Sequence, residues 1–350
     1  LRIGMIGGTR GEIMPATSAR PIVAVALKMG DSARAALADA LGSAAEAIHL
    51  PDLDEAARLD AVGRATVVFA RNTSDLTEAE RQVIGQGHVR LLQFYSAGVD
   101  FIRFADLPDD LPIAGNGGAF AVPMAEHAAA MAFAAAKRLL IEHEALKTGA
   151  FNQFARNRML AGMTCGILGY GGIGRAVARL MGGLGMEIHA INRRGAADPE
   201  DAGLLSWVGT PDRTDELLAA SDVLVLSLPL SRATEHMIDR RALSLMKPDA
   251  ILINLARGEI IAEADFYDHL VATPTFTACI DAWWIEPVRH GSFRMDKPFL
   301  DLPNVIGSPH NSAAVHASQD NAIRNAAANC LRAIAGERPN YLITPDERMG

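Results

Sequence analysis

Apolar runs and amphipathic stretches alternate along the chain in two successive series. From about residue 20 to 115, β-like runs fall at 22–27, 47–50, 66–70 and 89–94, with helical patterns at 31–41, 53–59 and 78–84 between them. Strands separated by helices at this spacing predict a small α/β layer with a mostly parallel sheet. Asp31 is placed to cap the first helix, because a carboxylate there accepts the free amide hydrogens of the first turn. An Ala-rich stretch from Pro123 to about Thr148 then predicts one long helix, with proline in its first turn and Gly149 past its end. Its small side chains suit close approach by another helix, of the same chain or of a second copy. The second series has β-like runs at 163–168, 187–191, 222–228, 250–254, 275–280 and 304–307. The tail from about His310 is predicted helical through Ala335.

Composition narrows the function classes. The 350 residues leave room for two domains, and 49% hydrophobic content with only 5% aromatic suits helices packed on a parallel sheet. A net charge of −8, with no basic run longer than Arg193–Arg194, argues against general binding of nucleic acid or anionic membrane. An anionic small substrate is still allowed, since a pocket needs only a few cations. Cys165, Cys279 and Cys330 show no paired spacing, so small-hydrophobe roles are expected in a reducing, cytoplasmic setting, with no metal site. The apolar stretch at 128–136 falls far short of the ~20 residues of a membrane span, and the first residues lack the apolar region of a signal peptide. Gly4, Gly7, Gly8 and Gly11 cluster near the start, as a loop beside a site or as a simple strand, turn or extension.

The strongest local motif is Gly169-Tyr170-Gly171-Gly172-Ile173-Gly174, led in by a strand and led out by a helical run. In this context a GxGxxG predicts a dinucleotide site. Gly169 makes the tight turn, Gly171 lets the backbone approach a pyrophosphate, and Gly174 allows close helix–strand packing. The helix N-terminus offers amide hydrogens to the phosphates. Eighteen residues past Gly174 stands Asn192, followed by Arg193 and Arg194. A carboxylate here would bind the ribose hydroxyls and repel a 2′-phosphate; Asn192 removes that charge, and two arginines can neutralise the phosphate instead. NADP(H) is the sharper reading. Two solvated arginines in a turn, with NAD(H) bound, is the plainer one.

Three later segments each place a polar residue just past an apolar β-run: Arg257, Glu286 and His310. In open parallel sheets ligands bind beyond the carboxyl ends of the strands, so these residues converge on one crevice. The chain resembles the D-isomer-specific 2-hydroxyacid dehydrogenases from about residue 22 to 334. The resemblance rests on Ser96-Ala97-Gly98-Val99-Asp100, Ala125-Glu126-His127, the cofactor loop, Ser227-Leu228-Pro229-Leu230, and the Arg, Glu and His segments in family order.

The resemblance implies two lobes with parallel Rossmann-like or flavodoxin-like sheets. A dinucleotide lobe at 123–310 is inserted in a discontinuous substrate lobe formed by 1–122 and 311–350. It implies Arg257, Glu286 and His310 as active residues. Arg257 would hold the substrate carboxylate or keto oxygen and stabilise charge developing there. His310 would exchange the proton, with Glu286 fixing its tautomer. Backbone amides near Ala97 and Gly98 would bind the carboxylate, Asp281 would meet the nicotinamide carboxamide, and Pro229 and Ala256 would flank the cofactor. A small 2-hydroxy or 2-keto acid is the expected substrate and a homodimer the expected assembly. Two rivals share the scaffold: a nucleotide-sensing binding protein or corepressor, and a formate-dehydrogenase-like enzyme, whose chemistry favours a neutral amide where Glu286 stands. The chain departs from the usual pattern at Asn192, at Ala282-Trp283-Trp284, and at Asn311-Ser312 after the histidine.

Overall fold

The computed structural model describes residues 20–348, Gly87 excepted; the glycine-rich stretch at 4–11 lies outside the described residues. The first series of elements is β1 (Ile22–Val25), α1 (Asp31–Leu41), β2 (Glu46–His49), α2 (Glu55–Arg64), β3 (Val67–Ala70), α3 (Glu78–Ile84), β4 (Leu91–Phe94) and β5 (Ile113–Ala114). These strands form one parallel sheet in the order β2-β1-β3-β4-β5, the flavodoxin-like arrangement. After α4 (Ala121–Ala136) and α5 (Leu139–Lys147) come β6 (Thr164–Leu168), α6 (Gly172–Gly183), β7 (Glu187–Ile191), β8 (Trp207–Gly209), α7 (Thr214–Ala220) and β9 (Val223–Leu226). The series closes with α8 (Arg240–Leu245), β10 (Ile251–Asn254), α9 (Glu263–Ala272), β11 (Thr277–Ile280), α10 (Pro287–His290) and β12 (Val305–Gly307). The second sheet is also parallel, in the order β12-β11-β10-β9-β6-β7-β8. Every residue of β1, β3, β4, β9 and β10 is buried. Helices cover both faces of such sheets, which is why their strands read as unbroken apolar runs. No helix among the described residues is long and apolar enough to cross a membrane.

The last helix, α11 (Ser318–Ile334), returns to the first sheet, where Ile323, Ala326, Ala327 and Cys330 share a core with Val23, Val25 and Leu37. A buried amide network secures the return. Asn329 donates to Gln93 Oε1 (2.6 Å), Gln93 donates to Gly115 O (3.1 Å), and Asn116 reaches both Tyr95 O (2.9 Å) and Ala322 O (2.8 Å).

Several expectations are corrected. Asp31 is the first helical residue rather than the cap; Gly30 precedes it and α1 has no side-chain cap. The helix expected at 53–59 runs later because the Asp54 carboxylate accepts from Ala57 N and starts α2 there. The single helix expected at 123–148 is two, broken where Arg138 takes a left-handed φ of 54°. Burial changes at the break. Ala125, Ala128 and Ala132 of α4 pack against Val177 and Ala178 of α6, whereas α5 buries none of its residues. The tail becomes helical only at Ser318. The three cysteines are free and buried; burial pushes Cys165 and Cys330 up to about 12, so they stay protonated at neutral pH.

Candidate active site

β6 lies between β7 and β9, so the loop leaving its carboxyl end sits where the strand order reverses. Gly169 turns with φ +104°, and a Cβ there would come within 2.7 Å of Leu228 N. At Gly174 a Cβ would fall 2.4 Å from Gly169 O, while at Gly171 it would meet nothing within 4 Å. The protein thus closes the outer positions itself and leaves open space at the middle one, a cradle that fits a dinucleotide pyrophosphate before the N-terminus of α6. Gly172 has a second role, because its α-carbon packs on Gly118 in the connection between the lobes: a Cβ would stand 2.4 Å from Gly118 Cα. Ser227, on the loop after β9, donates to Gly169 O at 2.9 Å.

At the other end of this surface, Asn192 Oδ1 accepts from Arg194 N (3.0 Å) and Ala196 N (3.4 Å), and its amide donates to Ala196 O (2.8 Å). These bonds fold the turn and leave no carboxylate at the end of β7. Arg194 is already paired with Asp198 at 2.7 Å. Arg175 meets Asp198 (3.1 Å), Asp201 (2.8 Å) and Glu200. Arg193 is exposed and has no ion pair among the described residues.

Polar residues past the ends of strands in the two sheets meet one another. Past β10, the Asn254 amide donates to Arg257 O (2.8 Å) and its carbonyl accepts from Ala256 N (3.0 Å), fixing the turn that presents Arg257. Arg257 Nε donates to Asp100 Oδ1 across the lobes at 2.9 Å, and Nη1 donates to Ala256 O at 2.7 Å. Its Nη2 lies against Gly98, where a Cβ would stand only 1.8 Å away, so any larger residue there would have to push this guanidinium aside. Glu286 precedes α10 and grips His310: Oε2 lies 2.7 Å from Nδ1, while Oε1 accepts from Trp283 N at 2.7 Å. Burial works to raise the Glu286 carboxyl, but the hydrogen bond and charge of His310, the Trp283 amide and Arg257 outweigh it and hold it below the ordinary value. His310 has a φ of 49° and is one-third exposed, with its other ring nitrogen clear of this contact.

Asp281, expected beside the nicotinamide carboxamide, sits behind the His310 loop. Its side chain has no exposed surface, and its oxygens accept from Ser308 Oγ (2.5 Å), Asn311 N (3.2 Å) and Ser312 N (3.4 Å). His310 N donates to Asp281 O at 3.0 Å. The carboxylate pins both flanks of the loop that carries His310 in a left-handed conformation. Ser308 Oγ also lies 3.0 Å from Nε2 of His127, part of the Ala125-Glu126-His127 motif. Asn254, Ser308, Asp100 and Arg289 have no role assigned by the sequence; Asp100 lies in the 96–100 motif, but nothing near Arg289 marks it.

A family model described as "D-isomer specific 2-hydroxyacid dehydrogenase, NAD binding domain" matches residues 129–312. Glyoxylate/hydroxypyruvate reductase B of Pectobacterium atrosepticum is 37% identical over 183 residues, covering 52% of this chain and 54% of that protein. The chain thus spans about half the length of that relative. Hydroxypyruvate reductase of Thermotoga maritima is 28% identical over 249 residues, covering 71% of this chain and 76% of that protein. A solved D-isomer specific 2-hydroxyacid dehydrogenase from Xanthobacter autotrophicus Py2, in complex with NADPH and MES, matches the fold with a TM-score of 0.74 at 21% identity, covering 93% of this chain and 99% of that one.

Proposed function

The chain belongs to the D-isomer specific 2-hydroxyacid dehydrogenase family, and we propose on that footing that it transfers a hydride between NADP(H) and a small 2-hydroxy or 2-keto acid. The observation that carries this reading is the facing pair across the crevice: Glu286-gripped His310 on one side, and Arg257 against Gly98 on the other. The nicotinamide, when bound, supplies or takes up the hydride. Arg257 keeps Nη2 for the substrate carboxylate or keto oxygen, as a planar fork held at its other corners. The Ala97 and Gly98 amides make no backbone hydrogen bond among the described residues and complete the carboxylate site. With Nδ1 committed to Glu286, Nε2 of His310 delivers the proton to the oxygen in reduction and takes it in oxidation. Gly169, Gly171, Gly172, Ile173 and Gly174 form the phosphate cradle, Pro229 and Ala256 flank the cofactor, and Asp281 acts from behind by holding the His310 loop. The lobe boundaries at 122/123 and 310/311 belong to the same reading.

The preference for NADP(H) is supported by the missing carboxylate at Asn192 and by unpaired Arg193; Asp198 discounts the share of Arg194. A homodimer is supported by apolar surface on and after α5, where Leu139, Leu140 and Leu146 are exposed with Phe151 (74%), Phe154 (88%) and Met159. Buried free cysteines suit a cytoplasmic protein. The deciding experiment is reduction of glyoxylate, hydroxypyruvate, pyruvate and phenylpyruvate with each cofactor. Saturable turnover of at least one is expected with NADPH. Tight nucleotide binding without turnover of any of them would favour the nucleotide-sensing alternative.

A further inference from the structure

Arg257 does not stand alone in the crevice. Asp100, from the loop after β4, bridges it to a second guanidinium: Oδ1 accepts from Arg257 Nε at 2.9 Å, and Oδ2 lies 3.4 Å from Arg289 Nε. Arg289 is also paired with Glu259, two residues beyond Arg257. The four side chains form a row of alternating charge in which Asp100 comes from the first lobe and the other three from the second. The Asp100 side chain is 4% exposed, and its Oδ2 is buried with no hydrogen bond, only the longer ionic contact with Arg289. A buried carboxylate depends on its paired cations. Removing Arg289 would leave Asp100 to draw on Arg257 alone.

We propose that Asp100 and Arg289 are positioning residues that form a latch between the lobes and set the guanidinium of Arg257 for substrate. With Nε on Asp100 and Nη1 on Ala256 O, the plane of Arg257 is fixed and the Nη2 edge faces Gly98. Orientation is thus settled before an anion arrives, which cuts the ordering cost of binding and of reaching a reactive geometry. Arg289 shares the charge of Asp100, so Asp100 orients Arg257 without cancelling its attraction for a carboxylate. The placement of Arg289 couples the two halves of the chemistry. It is the third residue of α10, and Glu286, which grips His310, immediately precedes that helix. One short turn therefore holds the proton-transfer pair at its start and the latch to the other lobe at its end.

The inference rests on the proposed reduction of 2-keto acids, and its test includes a readout that does not need turnover. Arg289→Met should raise the substrate KM about tenfold or more while the Kd for NADPH, from nucleotide fluorescence, stays within about twofold, because the latch acts on Arg257 and not on the phosphate loop. Arg289→Lys should recover most of the loss, since a 3.4 Å ionic contact asks for charge more than for a fork. Asp100→Asn should resemble Arg289→Met, and the double variant should be little worse than the poorer single one, as for residues acting through one contact. Hydrogen exchange at the 95–100 amides should rise in Arg289→Met. Unchanged kcat/KM, a parallel loss of NADPH affinity, additive losses, or unchanged exchange would each overturn the latch. If Arg289→Met does not fold, Arg289→Lys and Asp100→Asn carry the same comparisons. A wild-type protein that turns over no 2-keto acid sinks the functional reading, and the exchange measurement still decides the latch.

Discussion

Two loops leave the carboxyl ends of parallel strands, one in each sheet, yet they are built in opposite ways. The loop after β6, residues 169–174, is shaped from within. Gly169 makes the turn, Gly174 rests on Gly169 O, and Ser227 from the adjacent strand's loop adds one hydrogen bond. The loop after β4, residues 95–100, is shaped from afar. Asp100 is held by Arg257, 157 residues away, and by Arg289 still further along, while Ser96 O accepts from Asn116 N. A phosphate cradle made of backbone can be written as a short string of glycines. A crevice that must orient a guanidinium and an imidazole needs charged side chains delivered by different strands. The first loop is therefore a self-contained part, and the second is an assembly whose parts fail together.

The largest test of this contrast is on the assembled side. His310→Ala should lower kcat at least ~100-fold, the range for lost acid–base catalysis, or about 2.7 kcal/mol, while NADPH affinity stays nearly unchanged. Turnover near wild type would remove His310 from the mechanism and with it the assembled crevice. On the self-contained side, Gly169→Ala must place a Cβ against Leu228 at φ +104°, so a stability loss on the order of 1–3 kcal/mol is expected, together with weaker NADPH binding. Urea unfolding and a nucleotide titration measure both. A loss within about 0.5 kcal/mol, as for an ordinary surface change, would show that the loop is not so tightly determined.

The smallest expected effect sharpens the comparison at the edge of the cofactor surface. Wild-type protein should prefer NADPH over NADH about tenfold in kcat/KM, near 1.4 kcal/mol. Arg193→Ala should erode that preference more than Arg194→Ala, because Asp198 already occupies Arg194. Asn192→Asp with Arg193→Ala should turn the preference toward NADH, since a carboxylate repels the phosphate and binds the ribose hydroxyls. A wild-type preference for NADH would make both arginines a solvated turn.

What the chain records locally follows the same division. Buried parallel strands write themselves as apolar runs, so both sheets and nearly all their strands were visible; β5, with two residues, is too short to carry a pattern, and β8 (Trp207–Gly209) was missed although β12, equally short, was not. The glycine loop was visible because its requirements lie within six consecutive residues. Arg257, Glu286 and His310 were visible as polar residues at strand ends, in the order of a known family. Only the tertiary structure decided that the 123–148 helix breaks where burial changes, that Asp281 turns its carboxylate inward to hold the His310 loop, and that Asp100 and Arg289 latch Arg257. The physical reason is range. Backbone propensity and burial period act over a few residues and are recorded in the local string, whereas the partner of a charged side chain depends on which distant segment the fold brings within about 3 Å, a hydrogen-bond length.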